Sequence, residues 1–310
     1  MSGVRPASDP LAPIRTPEQP GPGPLSAASL RALELAVGRR VDGQLAGDYR
    51  SAFAGVGSEL WQVRVYEPGD DVRRIEWNVT ARTGQPHVRV ELAERVLVTW
   101  LVLDASASMA FGTGDRRKAD VAEGVAVAVG YAATKRGNRL GTISFGEEPS
   151  IDPPRQGRRA LLDTLHMLRR LPAGGTGSLR DALEVADRVV RQRALVVLVS
   201  DFRGPPEWRA PLLRLAARHT VLAVEIRDPR EQELADVGEL RLVDPETGRQ
   251  LRVDTSDRGL RERFAAAAAG ERRELVSTLA SAGVRHVALS TEGDWLRPLT
   301  AFLRRRERAA

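Results

Sequence analysis

With 310 residues, 42% hydrophobic and 28% charged, the chain is long enough for one large or two modest domains with a substantial core. It has no cysteine, which excludes disulfides and thiolate metal sites and fits a reducing compartment. The net charge of +6 is carried almost wholly by arginine, since Lys118 and Lys135 are the only lysines. The 41 acidic residues are interspersed, so the charge reads as solvated helix faces rather than a nucleic-acid surface.

The first 25 residues are rich in proline and lack an apolar core of signal-peptide length, so a disordered tail is expected. The longest apolar run, Val96 to Leu103, is far shorter than the roughly 20 residues that span a bilayer. The chain is expected to be soluble and cytoplasmic. Residues 26–94 are expected to form a helix and a β-rich segment. Ser26 caps the helix, and Leu30, Leu33 and Val37 share one face. From about residue 41 to 92 the pattern reads as short strands and turns. Alternation is clear in WQVRVY and HVRVEL, with Pro68-Gly69 suited to a type II turn.

From residue 95 to 310 the order becomes strand, helix, strand, helix. Strands are predicted at VLVTWLVLD, RLGTISFG, ALVVLVSD, TVLAVEI and VRHVALS, all near-continuous apolar runs suited to burial on both faces. Between them, SLRDALEVADRVVRQR sets Leu179, Leu183, Ala186 and Val190 on one stripe. Further helices are predicted in the 119–135, 158–171, 207–219 and 294–308 stretches. A hairpin at about 228–257 takes the place of one helix, and a long helix follows it to Ala282. The fold class is therefore α/β, a doubly wound and mainly parallel sheet.

Asp104 ends the first central strand. In an extended segment Asp104, Ser106 and Ser108 fall on one side. Thr176 stands in a glycine-rich loop before a helix, and Asp201 ends another buried strand. Ligands of such sheets bind at the carboxyl ends of the strands, where these five oxygen side chains are expected to converge. An all-oxygen set without His or Cys suits Mg²⁺, Mn²⁺ or Ca²⁺ rather than zinc. With mostly neutral hydroxyls around it, the ion would stay electrophilic toward a carboxylate from a partner. The plainer alternative is that Ser106 or Ser108 only caps the next helix.

This arrangement resembles the metal-ion-dependent adhesion site of von Willebrand factor type A domains. The resemblance implies that the two serines and the threonine ligate the metal and that the aspartates act largely through water. The stretch from Arg64 to Leu92 also resembles the signature of the domain of unknown function 58 family, at Tyr66, Gly69, Asp70, Asp71, Arg73, Ile75, Trp77, Ala81 and Arg82. That likeness spans about residues 40–305. It implies a type A domain with an attached β segment and an inserted hairpin. It also implies a protein that acts as an adaptor or chaperone-like partner of MoxR-type AAA+ ATPases.

Two other functions compete with a protein-interaction module. A metal-dependent phosphatase-like enzyme needs a second nearby acid, and position 106 is Ser. GTGDRRKA, Gly112 to Ala119, lacks the spacing of a phosphate-binding loop and the hydroxyl after Lys118. A basic nucleic-acid binder would show steep salt dependence instead of metal dependence. Around PGDD, the expectation is a structural turn in which Asp70 or Asp71 pairs with Arg73 or Arg82, with Trp77 packed. The alternative is a docking surface.

Overall fold

The computed structural model describes residues 21–23, 60–91, 98–135, 137–146, 149–170, 175, 177–244 and 247–304. The predicted helix after Ser26, most of the tail, Thr176 and the end of the last basic run lie outside these residues. The chain divides into two units, residues 42–96 and residues 97–310 together with 1–41.

In the smaller unit, β1 (Leu60–Val65) pairs antiparallel with β2 (His87–Glu91). The turn after β1 is of type II: Asp70 N donates to Glu67 O, with Gly69 at φ 112°. Asp70 also accepts from Glu67 N and pairs with Arg64 at 2.6 Å, not with Arg73 or Arg82. Asp71 accepts from the Arg73 amide and so caps a 3₁₀ turn, Val72–Arg74. Where only strands and turns were expected, a helix follows, α1 (Trp77–Thr83). It has no long apolar stripe to betray it. Its end is set by Gly84 at φ 74°, whose N–H closes onto Thr80 O. Trp77 was expected to pack, yet it is 68% exposed, because it stands at the first position of this short helix rather than in a strand.

The larger unit is built on a six-stranded sheet in the order β10-β7-β6-β3-β4-β5. Its strands are β3 (Val98–Asp104), β4 (Arg139–Phe145), β5 (Ser150–Gln156), β6 (Leu195–Ser200), β7 (Thr220–Arg227) and β10 (Arg285–Ser290). All neighbours are parallel except β4 and β5. This is the doubly wound α/β fold that the sequence predicts. Strand β5, SIDPPRQ, was not expected, because two prolines argue against a central strand. It lies at the sheet edge, and its register with β4 shifts at Pro153 and Pro154, so neither missing N–H interrupts a regular ladder.

Both faces are covered. Leu101, Leu103, Val197, Val199 and Leu222 pack under α2 (Lys118–Lys135), α3 (Gly157–Arg170) and α7 (Leu296–Arg304). Trp100, Val102, Val196, Leu198 and Ala223 pack under α4 (Leu179–Val189), α5 (Arg209–Arg218) and one end of α6 (Arg258–Ser281). Each such Leu or Val contributes about 1.5–3 kcal/mol by leaving water. Helix α2 is lined with alanine and valine because it lies close on the sheet, and Gly124 faces the Trp295 ring, where a Cβ would clash. No helix among the described residues is long and apolar enough to cross a membrane.

After β7 the chain makes the predicted hairpin, β8 (Glu239–Val243) with β9 (Gln250–Asp254). Thr255 closes its neck by donating from N and Oγ1 to Gly238 O. At the carboxyl edge of the sheet the buried Asp228 ties three segments together. It accepts from Thr113 N and Oγ1 and from Thr291 Oγ1, each at 2.7 Å, and from Arg230 N at 2.9 Å. Burial alone would raise its carboxyl, but the Thr113 and Thr291 hydroxyls and nearby amides hold it below the ordinary range. Its stabilisation is therefore present above the usual Asp value and is lost as pH falls through the lowered one. Asp228→Ala should cost about 3 kcal/mol or more in chemical denaturation, since several buried donors lose their acceptor.

Candidate functional site

Strand order reverses between β3 and β6. Helix α2 carries the chain from β3 to β4 on one side, and β6 lies on the other. The carboxyl ends of these two strands are the place where this fold binds ligands. Asp104 ends β3, Ser200 ends β6, and Asp201 follows it directly. The structure brings together Asp104, Ser106, Ser108 and Asp201; Thr176 lies outside the described residues.

Asp104 is 6% exposed. Its Oδ1 accepts from Ser106 N at 2.9 Å and its Oδ2 from Ser200 Oγ at 2.5 Å. Ser106 occupies the cap position of a 3₁₀ turn, Ala107–Ala110, but its hydroxyl makes no capping bond. It lies instead 3.1 Å from the hydroxyl of Ser108, and the Ser108 hydroxyl in turn bonds Asp201. The plainer role, in which these serines cap a helix, is thus not the one their side chains adopt. Gly146 lets β4 approach this turn: a Cβ there would come within 2.6 Å of Ala105 O.

Asp201 is held differently. Its Oδ1 accepts from Arg203 N at 3.0 Å and its Oδ2 from Lys118 Nζ at 2.5 Å. Lys118 is fully buried and also donates to Glu231 Oε1 at 2.7 Å. Phe202, next to Asp201, is the one non-glycine among the described residues with positive φ, 55°. Such a conformation costs on the order of 1–3 kcal/mol in a bulky residue. Here it is offset by packing: the Phe202 ring is buried edge-on against Trp208, with centroids 5.8 Å apart. This tight reversal aims the Arg203 amide back at the Asp201 carboxylate.

The electrostatics separate the two aspartates. Burial, and then the charge of Asp201, push the Asp104 carboxyl up to about 6, although hydrogen bonds from Ser106 and Ser200 pull the other way. Burial acts on Asp201 too, but the Lys118 ammonium more than offsets it and holds that carboxyl below its usual range. Lys118 itself is disfavoured by burial yet raised by its two carboxylate partners. Lys118 and, at 3.9 Å from Glu231, Arg203 serve Asp201 and Glu231, which leaves Asp104 as the carboxylate of the cluster without a cation beside it.

Asp104 and Ser106 open into a pocket of about 320 Å³ bordered by Gly177, Ser178, Arg180 and Arg203. Among the described residues no three His, Cys, Asp or Glu side chains come together as metal ligands. A cation here would rest on hydroxyls and on the single unpaired carboxylate, and that donor set fits a hard, oxygen-seeking ion. Lys118, Ser200 and Glu231 were not anticipated. Lys118 looks like part of a solvated basic stretch, and Ser200 was the one polar residue in a buried apolar run.

Residues 62–274 match the family model described as "Protein of unknown function DUF58". An uncharacterized protein of Mycobacterium tuberculosis is 44% identical over 291 residues, covering 93% of this chain and 92% of its own. Among solved structures, BatB from Bacteroides thetaiotaomicron is similar with a TM-score of 0.41 and 11% identity, over 67% of this chain and 97% of its own. The SpRpn10 VWA domain follows with a TM-score of 0.37 and 16% identity, over 66% and 94%. Likenesses at this level add nothing to the strand order described above. The family match and the relative together decide the matter: the chain belongs to the DUF58 family.

Proposed function

We propose that this chain is a non-enzymatic protein-interaction module that grips an acidic residue of a protein partner through a divalent cation. Asp104, Ser106, Ser108, Thr176 and Asp201 would hold that cation, Mg²⁺ or else Mn²⁺ or Ca²⁺. When bound, the cation supplies an electrophile for an incoming carboxylate. The observation that carries the reading is Asp104: a buried carboxylate with no ion-pair partner among the described residues, beside two hydroxyls that face each other. Such a group is unfavourable alone and is relieved by a positive charge.

Each residue has a distinct part. Ser106 N and Ser200 fix the orientation of Asp104, while Ser106 and Ser108 offer neutral oxygens. Asp201 is engaged by Lys118 and the Arg203 amide, so it would reach the cation through water rather than by direct ligation. The same engagement weighs against a phosphatase-like enzyme, since the neighbouring carboxylate is not available to move a proton. In line with the resemblance of its sequence, the chain would act in the cytoplasm as an adaptor for a MoxR-type AAA+ ATPase or its client.

Affinity capture from native lysate tests this, comparing wild type in Mg²⁺, wild type in EDTA and Asp104→Ala in Mg²⁺. The expected outcome is an acidic-surfaced partner retained only by wild type in Mg²⁺. Equal retention of that partner by Asp104→Ala, or in EDTA, would overturn the reading.

A further inference from the structure

Helix α6 runs for 24 residues, about 36 Å, yet Leu279 is its only buried residue. Only its last turns pack on the sheet, through Leu275 and Leu279. Beneath the rest, the end of β7 presents Glu225 and Arg227, with His286 of β10 bonded to Glu225 at 2.9 Å. These polar groups do not take the helix in, and a groove of about 690 Å³ stays open between α6 and the segment from Arg227 to Glu233.

The charge along α6 is uneven in a telling way. Arg258 pairs with Glu262, Arg261 with Asp236 and Arg263 with Asp257. Arg272 and Arg273, which face the groove, form no ion pair among the described residues. Across from them Arg227 donates to the Gln232 side-chain carbonyl, and its Nε lies 3.4 Å from the buried Glu225 carboxylate, an ion pair without hydrogen-bond geometry. Burial, then the charges of Arg272 and Arg203, hold that guanidinium below its usual range despite Glu225. Three arginines thus crowd one groove whose single lining carboxylate is Glu233. The wall between them is apolar and shallow: Ala265, Ala269 and Val276 lie along one line of the helix, and Val276 is 40% exposed. Small side chains let a second helix approach to the short end of the 8–10 Å range.

We infer that this groove docks an acidic amphipathic helix of a partner protein, its small apolar face on Ala265, Ala269 and Val276 and its carboxylates on Arg272 and Arg273, with Arg227 adding positive charge behind them. The surface is separate from the Asp104 pocket and needs no cation. Arginine matched by carboxylates at a partly desolvated seam gives both orientation and affinity.

The test is fluorescence anisotropy on the full chain in EDTA. The probe is a labelled peptide of alternating glutamate and alanine-leucine faces at helical spacing. Its comparators are a scrambled peptide of the same composition and a single-stranded oligonucleotide. Wild type should bind the amphipathic peptide more tightly than either comparator. Arg272→Glu with Arg273→Glu should weaken it by at least about tenfold, and Arg297→Glu, on an exposed position of α7, should leave it unchanged. Thermal melts confirm that the variants fold. Equal binding of the scrambled peptide or the oligonucleotide would reduce the groove to a general polyanion surface and overturn the inference. So would unchanged binding by the double variant, or no binding by wild type. Because EDTA is present throughout, these outcomes are independent of whether the Asp104 site holds a metal.

Discussion

Lys118→Met should lower the stability of the chain by about 3–5 kcal/mol, the largest loss expected from any single change at the site. The side chain is fully buried between two carboxylates, Asp201 at 2.5 Å and Glu231 at 2.7 Å. Methionine matches its volume but leaves the buried Asp201 without a cation, while Glu231 keeps only the longer contact with Arg203 at 3.9 Å. The neutral pair Lys118→Met with Asp201→Asn should recover part of the loss, because the penalty lies in the uncompensated charge rather than in packing. Urea denaturation of the single and double variants checks this. A single variant within 1 kcal/mol of wild type would mean that the buried pair does not hold this edge of the sheet together.

Asp104→Asn should do the opposite and stabilise the protein at neutral pH in EDTA. The Asp104 carboxyl is raised from 3.8 to about 6 by burial and by Asp201. The folded state therefore holds this proton more tightly than the unfolded chain. Stability is greatest below about pH 4 for this group, falls as pH rises toward 6, and is fully reduced above that. The difference amounts to something on the order of 2–3 kcal/mol. Asparagine keeps the shape and the bond from Ser106 N, and its Nδ2 can donate to Ser200 Oγ in place of the bond that Oδ2 accepted. Without the buried charge, the variant should melt higher than wild type at pH 7 and match it near pH 4. Added Mg²⁺ should raise the wild-type melting temperature at pH 7 and leave the variant unmoved. An Asn variant that melts lower at pH 7 would show that the ionised carboxylate is already compensated without a cation.

The sheet was legible because its strands are buried on both faces. VLVTWLVLD and ALVVLVSD show continuous apolar runs that stop at a carboxylate, and the stop marks the strand end where Asp104 and Asp201 stand. Strand β5 was hidden because Asp152, Pro153 and Pro154 carry the local signal of a turn, and its edge position together with the register shift opposite the prolines reconciles them with a strand. Helix α1 was hidden because seven residues are too few to show a period. Of the site, the residues sharing one short segment could be read from spacing alone. Lys118 and Glu231 could not, since 113 positions separate them and nothing local says that a lysine in a run of arginines turns inward. Its rarity was the available hint: arginine fills nearly every other basic position. A compact ammonium fits between two carboxylates where a planar guanidinium would demand more room and more acceptors.

The most direct test of the account is titration calorimetry of the full chain with Mg²⁺ and with Mn²⁺, beside Asp104→Ala. The account predicts one ion bound per wild-type chain and none by the variant, with the variant otherwise folded. No binding by wild type at millimolar concentrations of either ion, or equal binding by Asp104→Ala, would contradict a cation-dependent site at the end of β3.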